Sequence, residues 1–299
     1  MREPKAIDIF LLLLLAVIWG SAFFNIKIAT YTYDTFTLVF VRVFFAALAL
    51  VLWCFYKKIK IMAFSKDWKP YALVVLVNIS LPFLLIAYGT DKVQSYLSAI
   101  LMSSTPLSGA ILAHFFTHNE KINLTKVIGL IACLIGVFVI IIKGDIDLLI
   151  NLRFTIGDLW MLAAAIGWAL YSIYLFYWNS ELKIFERFTL ISFFGALSLL
   201  PFYIGEEIFY KQTVFMPEFY FWVIFAAISP GIIAFTLYTV AQKKLGASLT
   251  GFTLYVFTVY GAIYGYFLFD EKFENYHFIG TILVFFGIYL AKKKNAQKN

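Results

Sequence analysis

Apolar residues fall in long continuous runs along this chain, and short polar segments separate the runs. They cover 6–28, 35–56, 70–90, 93–117, 125–143, 156–178, 184–205, 219–242, 247–269 and 276–292. Each run is close to the roughly 20 residues that a helix needs to cross about 30 Å of hydrocarbon. Because apolar and polar positions do not alternate within the runs, they indicate helices and not barrel strands. The pattern therefore predicts an all-α integral membrane protein with ten transmembrane helices.

The second half of the chain repeats landmarks of the first half. Trp19 in the first run has a counterpart in Trp168, which lies 149 residues later in the sixth run. Four more landmarks recur after 151 residues: Glu120 as Glu271, Lys121 as Lys272, Gly129 as Gly280 and Gly136 as Gly287. Such self-similarity indicates a duplicated unit, and we predict two five-helix repeats, residues 1–150 and 151–299. An odd number of crossings inverts the second repeat relative to the first, as in many secondary transporters.

Charged residues are scarce, and the basic ones are distributed asymmetrically between the runs. Acidic and basic residues together make up 14% of the chain, whereas in a soluble domain about a quarter of the residues are charged. With the N-terminus inside, the inner segments hold most of the 24 Lys and Arg residues. The positive-inside rule then predicts that both termini are cytoplasmic. The membrane that we expect is a bacterial plasma (inner) membrane. We expect a bilayer and a small-molecule substrate as partners, no nucleic acid, and a monomer or weak homodimer.

An ordered set of motifs resembles a known transporter family. The first helix of each half carries an Ala-rich motif with a tryptophan, Ala16-Val-Ile-Trp19-Gly-Ser21 and Ala163-Ala-Ala-Ile-Gly-Trp168-Ala169. The second helix carries Arg42 followed by Val-Phe-Phe-Ala-Ala, and spaced glycines follow in the fifth. Over essentially its whole length the chain resembles the EamA family of the drug/metabolite transporter superfamily. The resemblance implies ten helices around a central cavity, lined mainly by the first, third, fourth, sixth, eighth and ninth.

Polar and aromatic side chains within the runs are the candidates for substrate binding. Arg42 is a strongly charged residue that lies clearly inside the second run. Asn78 carries a polar amide and lies near the middle of the third run. Both are expensive in hydrocarbon unless protein or a wet cavity surrounds them. Rings with polar tips suit amphipathic metabolites and hold ammonium groups by cation–π contact. The predicted substrate-binding residues are Trp19, Arg42, Asn78, Tyr88, Trp168, Tyr171, Tyr238 and Tyr255.

Each of these residues also has a structural interpretation. Asn78 would equally serve an interhelical hydrogen bond. Arg42 would equally pair with backbone carbonyls or an outer acid. The second half has Phe194 at the position that corresponds to Arg42, so a role for that position is expected only in the first half.

Prolines interrupt corresponding runs in the two halves. Pro82 lies in the third run and Pro230 in the eighth, and paired broken helices of this kind indicate a transport site. Pro106 in the fourth run supplies a third predicted hinge, although its counterpart in the second half is Phe257. The alternative is that proline is simply commoner in transmembrane helices than in soluble ones.

The sequence lacks the residues that a metal site, an enzyme active site or an ATP-driven pump would need. His114 and His118 lie one helical turn apart, but His277 is the remaining histidine, so we expect no metal site. We expect no catalytic residues and no cofactor, and the chain is not predicted to be an enzyme. No phosphate-binding loop is present, which argues against an ATP-driven pump. Asp158 and Glu186 lie at the ends of runs, so proton coupling is less expected than exchange or facilitated diffusion.

Together these features predict a secondary transporter that works by alternating access. The favoured substrate is a small polar or amphipathic metabolite, and the favoured activity is export of an amino-acid-like compound. One alternative is an importer or exchanger of a larger metabolite, such as a nucleotide derivative. The alternative from a different functional class is a structural membrane protein that transports nothing.

Overall fold

Helices form the whole secondary structure of the described residues. The structure is a computed structural model that describes residues 5–30, 35–59, 68–76, 80–82, 85, 101–116, 122–145, 147–150, 155–177, 182–209, 217–269 and 274–292. Its helices are α1 Ala6–Thr30, α2 Thr35–Tyr56, α3 Trp68–Val75, α4 Thr105–Phe116, α5 Leu124–Ile141, α6 Asp147–Ile150, α7 Ile156–Tyr177, α8 Ile184–Phe209, α9 Pro217–Ala226, the π-helical segment Ala227–Ile233, α10 Ala234–Leu245, α11 Ala247–Gly251, α12 Thr253–Phe269 and α13 Asn275–Lys292.

Five of the helical stretches are long and apolar enough to cross a membrane: Thr37–Tyr56, Leu124–Ile141, Ile156–Tyr174, Ile184–Gly205 and Pro217–Leu245. The last of these joins α9, the π-helical segment and α10. Shorter apolar helices cover Ala6–Ala22, Thr105–Phe116, Leu249–Gly261 and Asn275–Ala291. Large apolar side chains such as Phe55, which is 77% exposed, cover the outside of these helices and would contact lipid. For the residues that the structure describes, the prediction of an all-helical integral membrane protein is confirmed.

The first helix of each half begins with the same capping interaction, in which a carboxylate accepts a backbone N–H. The Asp8 carboxylate accepts the backbone N–H of Lys5 at 2.9 Å, and the Asp158 carboxylate accepts that of Thr155. Both acids are nearly inaccessible, with 1% and 2% exposure. Each carboxylate satisfies an amide group that the helix itself leaves unpaired, and it complements the positive end of the helix dipole. These two acids therefore fix where α1 and α7 enter the bundle.

Four glycines form the contact between α5 and α13. The two backbones are so close that a Cβ atom on Gly129 would lie 2.5 Å from the carbonyl oxygen of Gly287. A Cβ atom on Gly136 would lie 2.6 Å from the carbonyl oxygen of Gly280. The lower-numbered glycine of each helix meets the higher-numbered glycine of the other, so the helices run antiparallel. The glycines whose spacing repeats in the sequence are the ones that meet, because only glycine permits this approach.

Further contacts also join helices of one half to helices of the other. Helix α1 packs on α12, α4 packs on α7, and α2 packs on α8. In the first pair, a Cβ atom on Gly20 would lie 2.7 Å from Cβ of Tyr260. In the second pair, a Cβ atom on Gly109 would lie 4.0 Å from Cβ of Ala169. Since the two halves interdigitate in this way, groups from both halves surround the interior of the bundle.

Within the part of the chain that the structure describes, interruptions are seen in the fourth, eighth and ninth spans. A turn at Ser103 and Ser104 precedes α4, which has Pro106 in its first turn, and the hydroxyl of Ser104 donates to the carbonyl of Leu101 at 2.6 Å. Pro230 lies inside the π-helical segment. A turn at Phe252 separates α11 from α12. Proline in the first turn of a helix costs nothing, whereas Pro230 removes an amide donor within a span and widens the helix there.

Candidate functional site

A small cavity lies between helices of both halves of the chain. Its volume is about 50 Å³. Residues from α2, α7, α8, the π-helical segment and α10 line it: Arg42, Val43, Ala46, Trp168, Tyr171, Phe188, Ile191, Ser192, Ala227, Gly231 and Phe235. The sixth and eighth spans contribute as the family resemblance implies, and the second and seventh spans contribute as well. We call this space the Arg42 cavity.

Arg42 gives the cavity its electrostatic character. Among the described residues that line the cavity, it is the one that carries a full charge, and its side chain is half-buried on α2. The hydroxyl of Ser192 is a nearby polar group in the same lining. A guanidinium presents several N–H donors in a fixed planar fork that matches a carboxylate. The arrangement suits an anion whose remaining surface is apolar.

The counterpart of Arg42 in the second half is packed differently. Phe194 on α8 packs against the buried cluster that contains Val75, Tyr171 and Leu190. The duplicated position therefore holds a cation in one half and an aromatic ring in the other. As the sequence indicated, any role for a charge at this position belongs to the first half.

Aromatic rings form one wall of the cavity, and Phe235 lies at their centre. Its ring is 5.9 Å from that of Trp168 and 5.5 Å from that of Phe188, measured between centroids. On another side it meets Trp19, with centroids 5.4 Å apart in an edge-to-face arrangement. Phe235 thus contacts both of the duplicated tryptophans. Offset and edge-to-face ring pairs of this kind add about 0.5–1.5 kcal/mol beyond burial.

Trp19 links this wall to the interrupted eighth span. Its indole N–H donates to the backbone carbonyl of Pro230 at 3.1 Å. The bond joins α1 in the first half to the π-helical segment in the second. A corresponding close contact exists between the sixth and third spans, where a Cβ atom on Gly167 would lie 2.8 Å from Cγ of Pro82. Both prolines are therefore contacted by the tryptophan-bearing helix of the other half.

A second group of polar side chains lies beside the aromatic wall. The hydroxyl groups of Ser172 and Tyr238 are 2.7 Å apart, and the amide nitrogen of Gln242 donates to the hydroxyl of Ser172. Tyr238 also contacts Trp19, with ring centroids 5.0 Å apart. All three polar residues are buried. We call Ser172, Tyr238 and Gln242 the Gln242 cluster.

The predicted site residues fall into three groups in the structure. Arg42, Trp168 and Tyr171 line the cavity together, and Trp19 and Tyr238 adjoin its aromatic wall. Tyr255 lies elsewhere, in the buried cluster around Cys133 and Val284. Asn78 and Tyr88 lie outside the described residues, so their roles stay predictions.

The sequence did not single out Phe235, Ser192 or Gln242. Phe235 carries no polar atom and lies among many other phenylalanines, so only its neighbours distinguish it. Gln242 is the last residue of the eighth apolar run, and the basic residues Lys243 and Lys244 follow it directly. Its spacing of four residues from Tyr238 was the available signal, because residues four apart share a helix face.

Comparison with known proteins assigns the chain to a family. The model of the EamA-like transporter family matches the chain twice, over residues 6–142 and 155–292. An uncharacterized transporter of Archaeoglobus fulgidus is 24% identical over 96% of this chain and 98% of its own length. The uncharacterized transporter YetK of Bacillus subtilis is 29% identical over 70% of this chain and 63% of its own.

A solved structure shares the fold of this chain. That crystal structure superposes with a TM-score of 0.79 over 96% of this chain and 97% of its own, at 15% sequence identity. At that identity the likeness concerns the fold alone. The two matches of the family model, which together cover most of the sequence, establish the family itself. The chain is a membrane protein that belongs to the EamA-like transporter family.

Proposed function

We propose that the protein is a secondary transporter that exports a small amino-acid-like metabolite by alternating access. The observation that carries the proposal is Arg42, which faces a cavity whose other walls are mainly aromatic and apolar. An arginine within a transmembrane helix is expensive, so a functional role is the default expectation. In the proposal Arg42 binds the carboxylate of the substrate. The rings of Trp168, Tyr171 and Phe235 contact its apolar part.

Ten spans arranged as two inverted five-helix repeats, residues 1–150 and 151–299, would provide the alternating access. The antiparallel glycine contact between α5 and α13 supports this arrangement, because the two helices carry the corresponding glycines of each half. The paired contacts of α1 with α12 and of α4 with α7 support it as well. In this proposal both termini are cytoplasmic, in a bacterial inner membrane, and the protein acts as a monomer or weak homodimer.

The size of the cavity bears on the state of the transporter. About 50 Å³ holds only a few water molecules, whereas ligand sites commonly measure about 300–1,000 Å³. Binding of a metabolite would therefore require the walls to separate. Pro82, Pro106 and Pro230 are the proposed hinges, and the last two lie where the described helices are interrupted. The tight cavity also favours a small substrate over a nucleotide derivative.

Transport by purified protein in liposomes tests the proposal. Liposomes loaded with a mixture of unlabelled amino acids would be diluted into labelled amino acids one at a time, and counterflow of label would be measured. We expect uptake of at least one monocarboxylate amino acid by wild-type protein. Arg42→Gln should abolish most of that uptake, while Arg42→Lys should retain part of it. A protein that folds and yet moves no carboxylate-bearing compound would contradict the proposal.

A further inference from the structure

Ser192 is a buried hydroxyl residue in the lining of the Arg42 cavity. It comes from α8 in the second half of the chain, whereas Arg42 comes from α2 in the first half. Buried hydroxyls on helices commonly donate to a carbonyl one turn earlier, as that of Thr189 does to Phe185 at 2.9 Å. Within the described part of the chain, the structure records no hydrogen bond for the hydroxyl of Ser192. This hydroxyl can therefore bind a group that enters the cavity.

Two contacts fix the register between α2 and α8. The rings of Phe40 and Tyr203 stack with their centroids 4.5 Å apart. Further along, the sulfur of Cys54 lies 3.5 Å from the hydroxyl oxygen of Thr189. The step from Phe40 to Cys54 on α2 is as long as the step back from Tyr203 to Thr189 on α8. The two helices therefore run antiparallel, and each residue of α2 can be matched to a level on α8.

Arg42 and Ser192 lie far apart along this pair of helices. By the register, the residue of α8 at the level of Arg42 is Pro201, nine residues beyond Ser192. Nine residues of helix rise about 13 Å. Each Cα–Cβ bond tilts toward the N-terminus of its own helix, and the N-termini of α2 and α8 lie at opposite ends, so the two side chains start away from each other. One carboxylate is too small to bridge Arg42 and Ser192.

Aromatic rings line the end of the cavity where Ser192 lies. Phe188 is one turn from Ser192 on the same face of α8, and it is the more distant of the two from Arg42. Its ring is 5.5 Å from that of Phe235, which in turn stacks on Trp168. The faces of aromatic rings carry a negative potential, which favours a cation and disfavours an anion. The cavity thus has a cationic end and an electron-rich end.

We propose that Ser192 binds the ammonium group of an elongated aminocarboxylate, at the opposite end of the cavity from Arg42. Its hydroxyl oxygen accepts one N–H of that group, and the neighbouring rings contact the same cation. Hydrogen bonds of about 3 Å at both ends of the 13 Å span leave roughly 7 Å for the substrate. An α-amino group lies too close to its carboxylate to fill this length, whereas a terminal amino group on a chain of several methylenes fills it. This inference rests on the proposed function for the carboxylate at Arg42, and it adds the length of the substrate and the residue that selects it.

Four compounds with six-carbon chains test the two ends of the cavity separately. Hexanoate has the carboxylate alone, and hexan-1-amine has the ammonium group alone. In 6-aminohexanoate the two groups lie at opposite ends of the chain, and in its isomer 2-aminohexanoate they lie side by side. All the amines are protonated at pH 7. The measurement is thermal stabilisation of the purified full-length protein as each compound is titrated at constant ionic strength. We expect saturable binding that is tightest for 6-aminohexanoate.

Variants assign each group to its residue. Ser192→Ala should weaken binding of 6-aminohexanoate and hexan-1-amine by about tenfold to a hundredfold, as expected for one hydrogen bond to a charged group. The same variant should leave the affinity for hexanoate unchanged. Arg42→Gln should weaken binding of hexanoate and 6-aminohexanoate but not that of hexan-1-amine. The matched control is Thr189→Val, because Thr189 is buried on the same helix and its hydroxyl donates within that helix. It should keep the wild-type affinities.

The outcomes separate this inference from the proposed function. Weaker binding of 6-aminohexanoate in Ser192→Ala, with hexanoate binding kept, supports the role of Ser192. If hexan-1-amine binds in a manner that depends on Ser192 while hexanoate does not bind, the Arg42 proposal fails and the role of Ser192 stands. Unchanged affinity for 6-aminohexanoate in Ser192→Ala overturns the inference. Tighter binding of 2-aminohexanoate than of 6-aminohexanoate overturns it as well, because the two charged groups would then bind side by side.

Discussion

Replacement of Gly136 by alanine tests the glycine contact between α5 and α13. The new Cβ atom would lie 2.6 Å from the carbonyl oxygen of Gly280 and 2.9 Å from the backbone nitrogen of Val284. Ordinary contacts of a Cβ atom begin at 3.4 Å, so α5 and α13 must separate by roughly 0.8 Å. Both opposing atoms belong to the backbone, and neither can rotate away. Overpacking of this kind costs about 1–3 kcal/mol.

Gly205→Ala is the matched control for that variant. Gly205 is also helical, and a Cβ atom there would meet nothing within 4 Å. Alanine should then stabilise the helix by about 0.5–1 kcal/mol, because glycine loses more conformational freedom on folding. The measurement is the free energy of unfolding of purified protein in detergent. Gly136→Ala should be less stable than wild type and Gly205→Ala should not be. Equal stability of the two variants would refute the close contact between α5 and α13.

Three further predictions concern topology, coupling and the aromatic wall. Tags fused at Met1 and Asn299 should both be protected from an impermeant reagent in intact cells, and labelling of either would contradict the inverted arrangement. Transport into liposomes should proceed without a proton gradient, since no carboxylate lies deep within an apolar run; strict dependence on an imposed pH difference would count against exchange or facilitated diffusion. Trp19→Phe keeps a ring but removes the N–H that binds Pro230, so substrate affinity should fall by up to about tenfold; unchanged affinity would show that this bond does not shape the site.

The sequence predicted the membrane class and the internal duplication because both depend on long-range regularities. Continuous apolar runs require helices in lipid, since every backbone amide must be paired within its own segment. The recurrence of Gly129 and Gly136 as Gly280 and Gly287 predicted no contact by itself. The structure shows that these four glycines meet across the antiparallel pair of α5 and α13. The spacing of these glycines indicates a repeat, but only the packing of α5 against α13 shows that the repeated glycines contact each other.

The site was predicted in part, and the missing members have physical reasons. Arg42 and Trp168 were recognisable because charge and an isolated indole are unusual within apolar runs. Phe235 was not, because the chain has 34 phenylalanines and nothing in the sequence distinguishes this one from the others. Ser192 is one of several hydroxyl residues near span centres, so its location beside the Arg42 cavity depends on how α8 is rotated. Side-chain direction in a uniformly apolar helix is decided by packing, which the sequence does not display.

Accessibility of the Arg42 cavity from the two sides of the membrane tests alternating access most directly. A single cysteine would replace Ser192, which lines the cavity, in a protein whose buried Cys54 and Cys133 have been changed to alanine. An impermeant thiol reagent would then be added to one side of oriented vesicles at a time. We expect labelling from either side, and protection from both sides by a transported substrate. Labelling from one side alone, whatever the substrate, would contradict the account.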